Sequence, residues 1–398
     1  MKLCIVTHTL KKGDGQGRVN YEVAQEAIRR GHQLTLVASE IAPELKDAVT
    51  WIPIQVESYP TEFIRNLIFA QKSAHWLNQH RANFDLIKVN GAITKVAADV
   101  NAVHFVHSSW LRSPVHISRI RRDLYGFYQW LYTAFNARWE KQAFQKAKVV
   151  VAVSEKVAQE LVNIGVPRSR IRVIVNGVDL QEFAPGVGDC QKLGLPTNVN
   201  LALFAGDIRT PRKNLDTVLH ALVKVPDLHL AVVGNPEGSP FPQLAASLGL
   251  NERVHFMGYR RDIPEIMRSA DLFVFPSRYE ACTLVLLEAL SSGLPVITAT
   301  ATGGAELVTP ECGIVLSNSD DTGALANAML SLTSDRTRLQ QMGQAARIVA
   351  EKYSWTTMAQ TYMDLFEELI HHEEHSSHPD LSPSSRSITL PFGTASTN

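Results

Sequence analysis

Short β-branched apolar runs recur along this chain, and each is followed by a stretch with apolar residues at helical spacing. LCIVTHT (3–9), QLTLVAS (33–39), FDLIKVN (84–90), AVHFVHS (102–108), KVVVAVS (148–154) and RVIVNGV (172–178) form one series. Near-continuous apolar strands alternating with amphipathic helices predict parallel sheets covered on both faces. The polar, Gly- and Pro-rich segment APGVGDCQKLGLPTNVN (184–200) interrupts the rhythm, which restarts with LALFAG (201–206), LHLAVVG (228–234), VHFMG (254–258), LFVFPS (272–277), PVITA (295–299) and GIVL (313–316). The fold class expected is therefore α/β, with two doubly wound Rossmann-like domains, 1–186 and 187–355, facing a cleft lined by strand-end loops. SWTTMAQTYMDLFEELIHH (354–372) predicts a last helix, about 356–372, that crosses back over the junction, and the Ser-, Pro- and Thr-rich residues 373–398 predict a disordered tail.

Composition narrows the classes. Of 398 residues 45% are hydrophobic, and 39 Lys plus Arg balance 39 Asp plus Glu, so no overall field favours nucleic acid or an anionic membrane. Nucleic acid is not an expected partner. Cys4, Cys190, Cys282 and Cys312 lack any CxxC or CxH spacing, which reads as reduced intracellular thiols and not as a zinc site or disulfide frame. MKLCIVTHTL is broken by Thr7 and His8 and resembles neither a signal peptide nor a membrane span. A cytoplasmic protein is expected, with peripheral membrane contact left open.

The stretch FPSRYEACTLVLLEALSSGLPVI (275–297) places an ionisable Glu288 among leucines, with Glu280 eight positions upstream. A buried carboxylate costs about several kcal/mol unless partners offset it. Thr283 is a candidate N-cap for a helix starting at Leu284, whose free amides and dipole make an anion site suited to a diphosphate. Glu288, one turn inside, can accept hydrogen bonds from the two hydroxyls of a ribose, while Glu280 reaches the group beyond the phosphates. The bland reading pairs Glu288 with an Arg or Lys for stability. FAGDIRTPRKNLDTVL (204–219) supplies Arg209, Arg212 and Lys213 after another strand end, where cations can stabilise a leaving diphosphate in place of a metal. No DxD pair occurs at a strand end, and neither a metal nor a cofactor is expected.

Taken together, EACTLVLLE (280–288), VIVNGVDLQEF (173–183), VAVSEKVAQEL (151–161), GDIRTPRKNLD and SGLPVITATATGGAELV (292–308), with Gly303, Gly304 and Glu306, resemble the retaining glycosyltransferases of family 4, which adopt the GT-B fold. The resemblance spans roughly residues 3–370. It implies that Glu288 binds the nucleotide ribose, Glu280 contacts the donor sugar, and Lys213 holds the diphosphate with an arginine. Where the family has Gly-Arg this chain has Gly206-Asp207, so Arg209 or Arg212 must substitute, and the usual Gly-Phe-Gly inside the glutamate motif is Ala281-Cys282-Thr283.

In the first domain HTLKKGDGQGRVNYEV carries Gly13, Gly15 and Gly17 as GxGxG, which fails as a dinucleotide fingerprint, and Asp14 would repel a pyrophosphate. Gly15 and Gly17 are assigned to a loop near the donor, with a plain tight turn as the alternative. His107 is expected at a strand end facing the cleft, where the resemblance implies a histidine touching the donor sugar; His104 is expected to be a satisfied core residue. Asn90, ending its strand, is the acceptor candidate. Residues 119–141 mix Arg119, Arg121 and Arg122 with Tyr125, Phe127, Tyr128, Trp130, Tyr132, Phe135 and Trp139. Such a helix can lie on a membrane, but burial under the first sheet is the preferred expectation.

These readings converge on a metal-independent, retaining hexosyltransferase. Its expected partners are a nucleoside-diphosphate sugar as donor and a sugar, glycan or lipid hydroxyl as acceptor. The rivals are a nucleotide-sugar epimerase or hydrolase on the same fold, and a non-catalytic nucleotide-sugar-binding protein.

Overall fold

A computed structural model of the chain describes residues 1–13 and 15–377. The apolar runs form two parallel sheets. The first has seven strands in the spatial order Thr50–Pro53, Gln33–Ala38, Lys2–Val6, Leu86–Asn90, Val100–Val103, Val149–Ala152 and Ile171–Val173. Six strands make the second, in the order Val254–Gly258, Leu228–Val233, Asn200–Ala205, Leu272–Phe275, Val296–Ala299 and Gly313–Leu316. All pairings within them are parallel. Runs such as VVVA and LFVF are buried along their whole length, as helices on both faces require.

Each sheet changes direction of winding beside its first strand. In the first domain the switch lies between Lys2–Val6 and Leu86–Asn90, and in the second between Asn200–Ala205 and Leu272–Phe275. Ligands of open α/β sheets bind outside the strand ends at such points. Gly15, Asn90, Lys213 and Glu280 all lie at or just beyond the carboxyl ends of these four strands.

Two elements differ from expectation. Thr50–Pro53 adds an edge strand that TWIP did not signal, because it is short, only partly buried and ends in a proline, which an edge tolerates. AVHFVHS is not a strand through residue 108. Its strand stops at Val103, and His107 opens the helix His107–Arg112. The aromatic segment also departs from the preferred reading: in the helix Leu124–Lys146, Leu124, Phe127, Trp130 and Phe135 are exposed and not buried under the sheet.

The last helix, Trp355–Ser377, returns to the first domain, extending past residue 372; residues 378–398 of the expected tail lie outside the described residues. Met358, Ala359, Tyr362, Met363 and Phe366 join Leu3, Val19, Val23 and Ala27 in one core. Arg30 fastens the helix through Asp364 at 2.7 Å and Glu367 at 3.0 Å. The chain crosses where Val178 N–H donates to Tyr353 O (2.9 Å) and Trp355 N–H to Val178 O (3.3 Å). A Cβ on Gly177 would lie 2.4 Å from Trp355 Cα, so only glycine admits this crossing. Gly177→Ala is expected to lower stability by about 1–3 kcal/mol through overpacking, read as a reduced urea midpoint with an unchanged slope.

Candidate functional site

The second domain builds its half of the cleft from two loops that hold one another. After Leu272–Phe275 the chain turns at Ser277, whose hydroxyl donates to Arg212 O at 2.9 Å, and Arg278 N–H donates to the same carbonyl at 2.9 Å. Arg278 braces the pair through Asp216 (2.7 Å) and Asp320 (2.6 Å). Asn214, in the left-handed region at φ 69°, donates its side-chain amide to Pro276 O and Ser319 O. The cationic turn Pro211–Lys213 is therefore fixed against the glutamate loop before any ligand arrives.

On that frame Glu280 Oε1 lies 2.5 Å from Lys213 Nζ and 3.1 Å from Arg212 Nη1. Burial pushes the Lys213 ammonium down, Glu280 pulls it back up, and Arg212 pushes it down again. Arg212 thus stands with Lys213. Arg209 does not join them: its guanidinium turns back to Asp207 at 2.9 Å and is largely exposed. Of the two arginines expected as the partner of Lys213, the fold brings only Arg212 to the cluster.

Thr283 occupies the N-cap of Leu284–Ser291 as expected, but its side chain makes no capping bond, which leaves the first-turn amides to an incoming acceptor. One turn in, Glu288 has no hydrogen bond or ion pair among the described residues. Burial pushes its carboxyl up to about 7, and the like charge of Glu182 adds to the shift. The pairing offered as the bland reading for Glu288 is found at Glu280 instead.

The loop is also clamped to the first domain. Tyr279 donates to Val106 O (3.1 Å) and Glu160 Oε2 (3.3 Å), packs between Phe105 and Trp110, and carries Lys156 Nζ 4.0 Å above its ring. Ser154 Oγ donates to Ala281 O at 2.6 Å, and Ala281 and Cys282 pack with Val103, Val106 and Phe144. Ala281-Cys282 is thus an interdomain contact. Glu306 reaches over to accept from Glu155 N–H at 2.7 Å. Behind the loop, a Cβ on Gly303 would fall 1.7 Å from Ala281 O, so the glycine lets two backbones touch.

Across the cleft, Gly15 begins the helix Gly15–Arg29 and faces the glutamate helix closely: a Cβ there would sit 3.6 Å from Leu284 Cδ1. Gly17, two residues along, is buried, and among the described residues of this segment Gly13 is left-handed (φ 89°). Asp14 lies outside the described residues. His107 is oriented by a residue that sequence reasoning missed. Glu140, buried in Leu124–Lys146, accepts from His107 N–H (2.9 Å) and Ser108 N–H (2.8 Å), and lies 3.0 Å from His107 Nδ1. With Nδ1 held at that carboxylate, Nε2 is the ring nitrogen left without a hydrogen bond among the described residues. Only the isolated Glu140 on a Thr/Asn/Glu face of an aromatic helix could have signalled it.

Asn90 ends its strand, buried, with Oδ1 accepting from Lys88 Nζ at 3.1 Å and Nδ2 unpartnered among the described residues. Lys88 went unnoticed inside an apolar strand. It is fully buried, also donates to Asn20 Oδ1, and burial pushes it down to about 7. His104 is not the satisfied core histidine expected: its Nε2 is buried without a partner, and burial with Lys88 nearby pushes the ring down to about 3, so it is neutral. No group of three or more His, Cys, Asp or Glu among the described residues is placed to hold a metal ion.

Two parallel-sheet lobes meeting at a cleft with these strand-end loops define the GT-B class of glycosyltransferase folds. Residues 13–182 match the family model Glycosyltransferase Family 4 and residues 189–349 match Glycosyl transferases group 1; the chain belongs to family 4 of the glycosyltransferases. A D-inositol 3-phosphate glycosyltransferase of Mycolicibacterium smegmatis is 34% identical over 227 residues, 54% of this chain and 52% of the relative. The chain spans about half the length of the curated relatives it matches. Among solved structures, sucrose-phosphate synthase from Thermosynechococcus elongatus superposes with TM-score 0.77 at 20% identity, covering 93% of this chain and 99% of that one. Anabaena HepE in complex with UDP and glucose gives TM-score 0.67 at 21% identity, over 92% and 99%. At those identities the likeness speaks to the fold.

The state of Glu288 makes stability depend on pH. The folded protein holds this proton to about 7 against an ordinary 4.5. More protons are then bound folded than unfolded across that window, so stability falls as pH rises through it. Glu288→Gln, neutral throughout, is expected to match the wild type near pH 4 and to be more stable at pH 8 by at most about 3 kcal/mol, measured by urea denaturation of the ligand-free protein at both pH values.

Proposed function

We propose that the protein is a retaining, metal-independent hexosyltransferase that uses a nucleoside-diphosphate sugar and a hydroxyl acceptor. The observation that carries this reading is the placement of Lys213, Arg212 and the free first turn of Leu284–Ser291 at one switch point, with the unpartnered Glu288 one turn inside. Cations and helix amides suit a diphosphate. A carboxyl without a partner suits vicinal hydroxyls, and ribose lies at that distance from a pyrophosphate.

In this reading the diphosphate rests on the Thr283–Leu284 turn and draws Lys213 and Arg212 toward its oxygens. Glu280, held between the two cations, offsets part of their charge while the seat is empty and meets the donor sugar once it is filled. His107 presents Nε2 to the sugar from the other lobe, and Asn90 lines the acceptor side. The bond from the anomeric carbon to the phosphate oxygen breaks as the acceptor oxygen bonds to the same face. The acceptor proton passes to the departing phosphate, so no side-chain nucleophile is required. Arg212 and Lys213 stabilise the charge gathering on the leaving group. Tyr279, Ser154 and Glu306 close the lobes and exclude water, which limits hydrolysis of the donor. HepE, crystallised with UDP and with UDP-glucose, supports a nucleoside-diphosphate donor by likeness of fold.

Lys213→Ala is expected to reduce kcat by about 10²–10³-fold, the usual effect of losing a fixed group that stabilises developing charge. Glu288→Gln is expected to raise the donor KM by about tenfold through weaker ribose hydrogen bonds. Initial transfer rates, with the donor first chosen by thermal shift against UDP-, GDP- and ADP-sugars, decide the matter. Wild-type kinetics in both variants would remove the site assignment, and donor consumption without an acceptor product would favour a hydrolase or epimerase.

A further inference from the structure

We propose that the outward face of Leu124–Lys146, with the adjoining Ile120, is a docking surface for an anionic lipid bilayer. The helix is turned inside out for a globular protein. Its buried positions include Gly126, Thr133, Asn136 and Glu140, engaged by a His116–Thr133 contact (3.0 Å), by Asn136 donating to Tyr132 O (2.9 Å), and by the Glu140 bonds to His107 and Ser108. Its outward stripe is Leu124, Phe127, Leu131 and Phe135, spaced three or four residues apart and so on one face. Leu124 is 89% exposed, Phe127 61% and Trp130 45%. Seven of the twelve large hydrophobic side chains exposed among the described residues lie between 120 and 135. A patch so concentrated marks an interaction surface.

Charge identifies the occupant. Arg112, Arg119, Arg122, Arg138 and Lys141 are exposed around this segment, with no ion pair to any of them among the described residues, and Arg121 is paired with Asp123 at 2.6 Å. The chain as a whole carries no net charge, so this basic rim is local. Aromatic side chains above a guanidinium rim match the headgroup layer of an anionic bilayer, where rings sit at the interface and arginines meet phosphate. A second copy of the chain fits poorly, because a two-fold contact would set the arginine rim against itself. Contact would be peripheral, since no helix among the described residues is long and apolar enough to cross a membrane. Through Glu140 the same helix orients His107, so docking brings that wall of the cleft to the lipid surface. The further step, that the acceptor hydroxyl belongs to a membrane lipid, rests on the transferase reading; the docking does not.

Flotation of the full chain with vesicles tests the docking without reference to activity. Binding is expected to phosphatidylcholine vesicles containing phosphatidylglycerol, to weaken as salt is raised, and to be absent with phosphatidylcholine alone. Arg119→Glu/Arg122→Glu is expected to lower binding at least about tenfold, and Leu124→Ser/Phe127→Ser to abolish it. Both variants alter only exposed positions, and unchanged melting curves would establish that they fold. Failure to float with anionic vesicles overturns the proposal. So does a concentration-dependent dimer, seen by light scattering, that the Leu124/Phe127 variant dissolves. Flotation that survives in Lys213→Ala, which loses transfer, separates docking from catalysis.

Discussion

A half-buried carboxyl with no cation beside it leaves its hydrogen bonds to something outside the chain, and Glu288 sets this condition for the whole cleft. Its neighbour Glu280 is already satisfied by Lys213 and Arg212. The two glutamates therefore sit in opposite electrostatic states although eight residues of one motif separate them. A ligand carrying both a diphosphate and hydroxyls answers the two states together. Its phosphates compete for cations that are present in excess over Glu280, and its hydroxyls give Glu288 the hydrogen bonds it lacks. Either feature alone would be an ordinary salt bridge or an ordinary destabilising residue.

The same loop keeps the lobes together. Tyr279, directly before Glu280, is planted in the first domain between Phe105 and Trp110, and Ala281, directly after it, accepts a hydrogen bond from Ser154. Glu280 is thus flanked on both sides by interdomain contacts, so its position depends on how far the lobes are closed. The strap helix adds a second constraint at the far side, where Gly177 meets Trp355. Motion of one lobe on the other is limited to what these contacts allow.

Glu140 joins two roles that would otherwise conflict. A helix whose inner face must hold a carboxylate under His107 and Ser108 has little room there for aromatics, so Phe127, Trp130 and Phe135 are exposed while Phe144, in the last turn, is buried. The polarity of the helix follows from the hydrogen bonds that Glu140 accepts from His107 and Ser108. Its averaged pattern is nearly featureless, and for that reason the sequence leaves open which side faces inward.

By itself the sequence determined what depends on local pattern: the alternation of parallel strands and helices, the N-cap at Thr283, and the glutamate spacing that puts Glu288 one turn inside a helix. Such features are legible because period, β-branching and capping act over a few residues. Tertiary structure alone decided that Arg212 and not Arg209 joins Lys213, that His107 opens a helix instead of ending a strand, that His104 and Lys88 are buried without counter-ions, and that the aromatic helix faces outward. Each of these turns on a partner distant along the chain, Glu140 for His107 and Glu280 for Arg212, or on a local pair that withdraws a side chain, as Asp207 does for Arg209. Contacts of that kind are set by how helices and loops pack around each sheet, and no short-range pattern carries them.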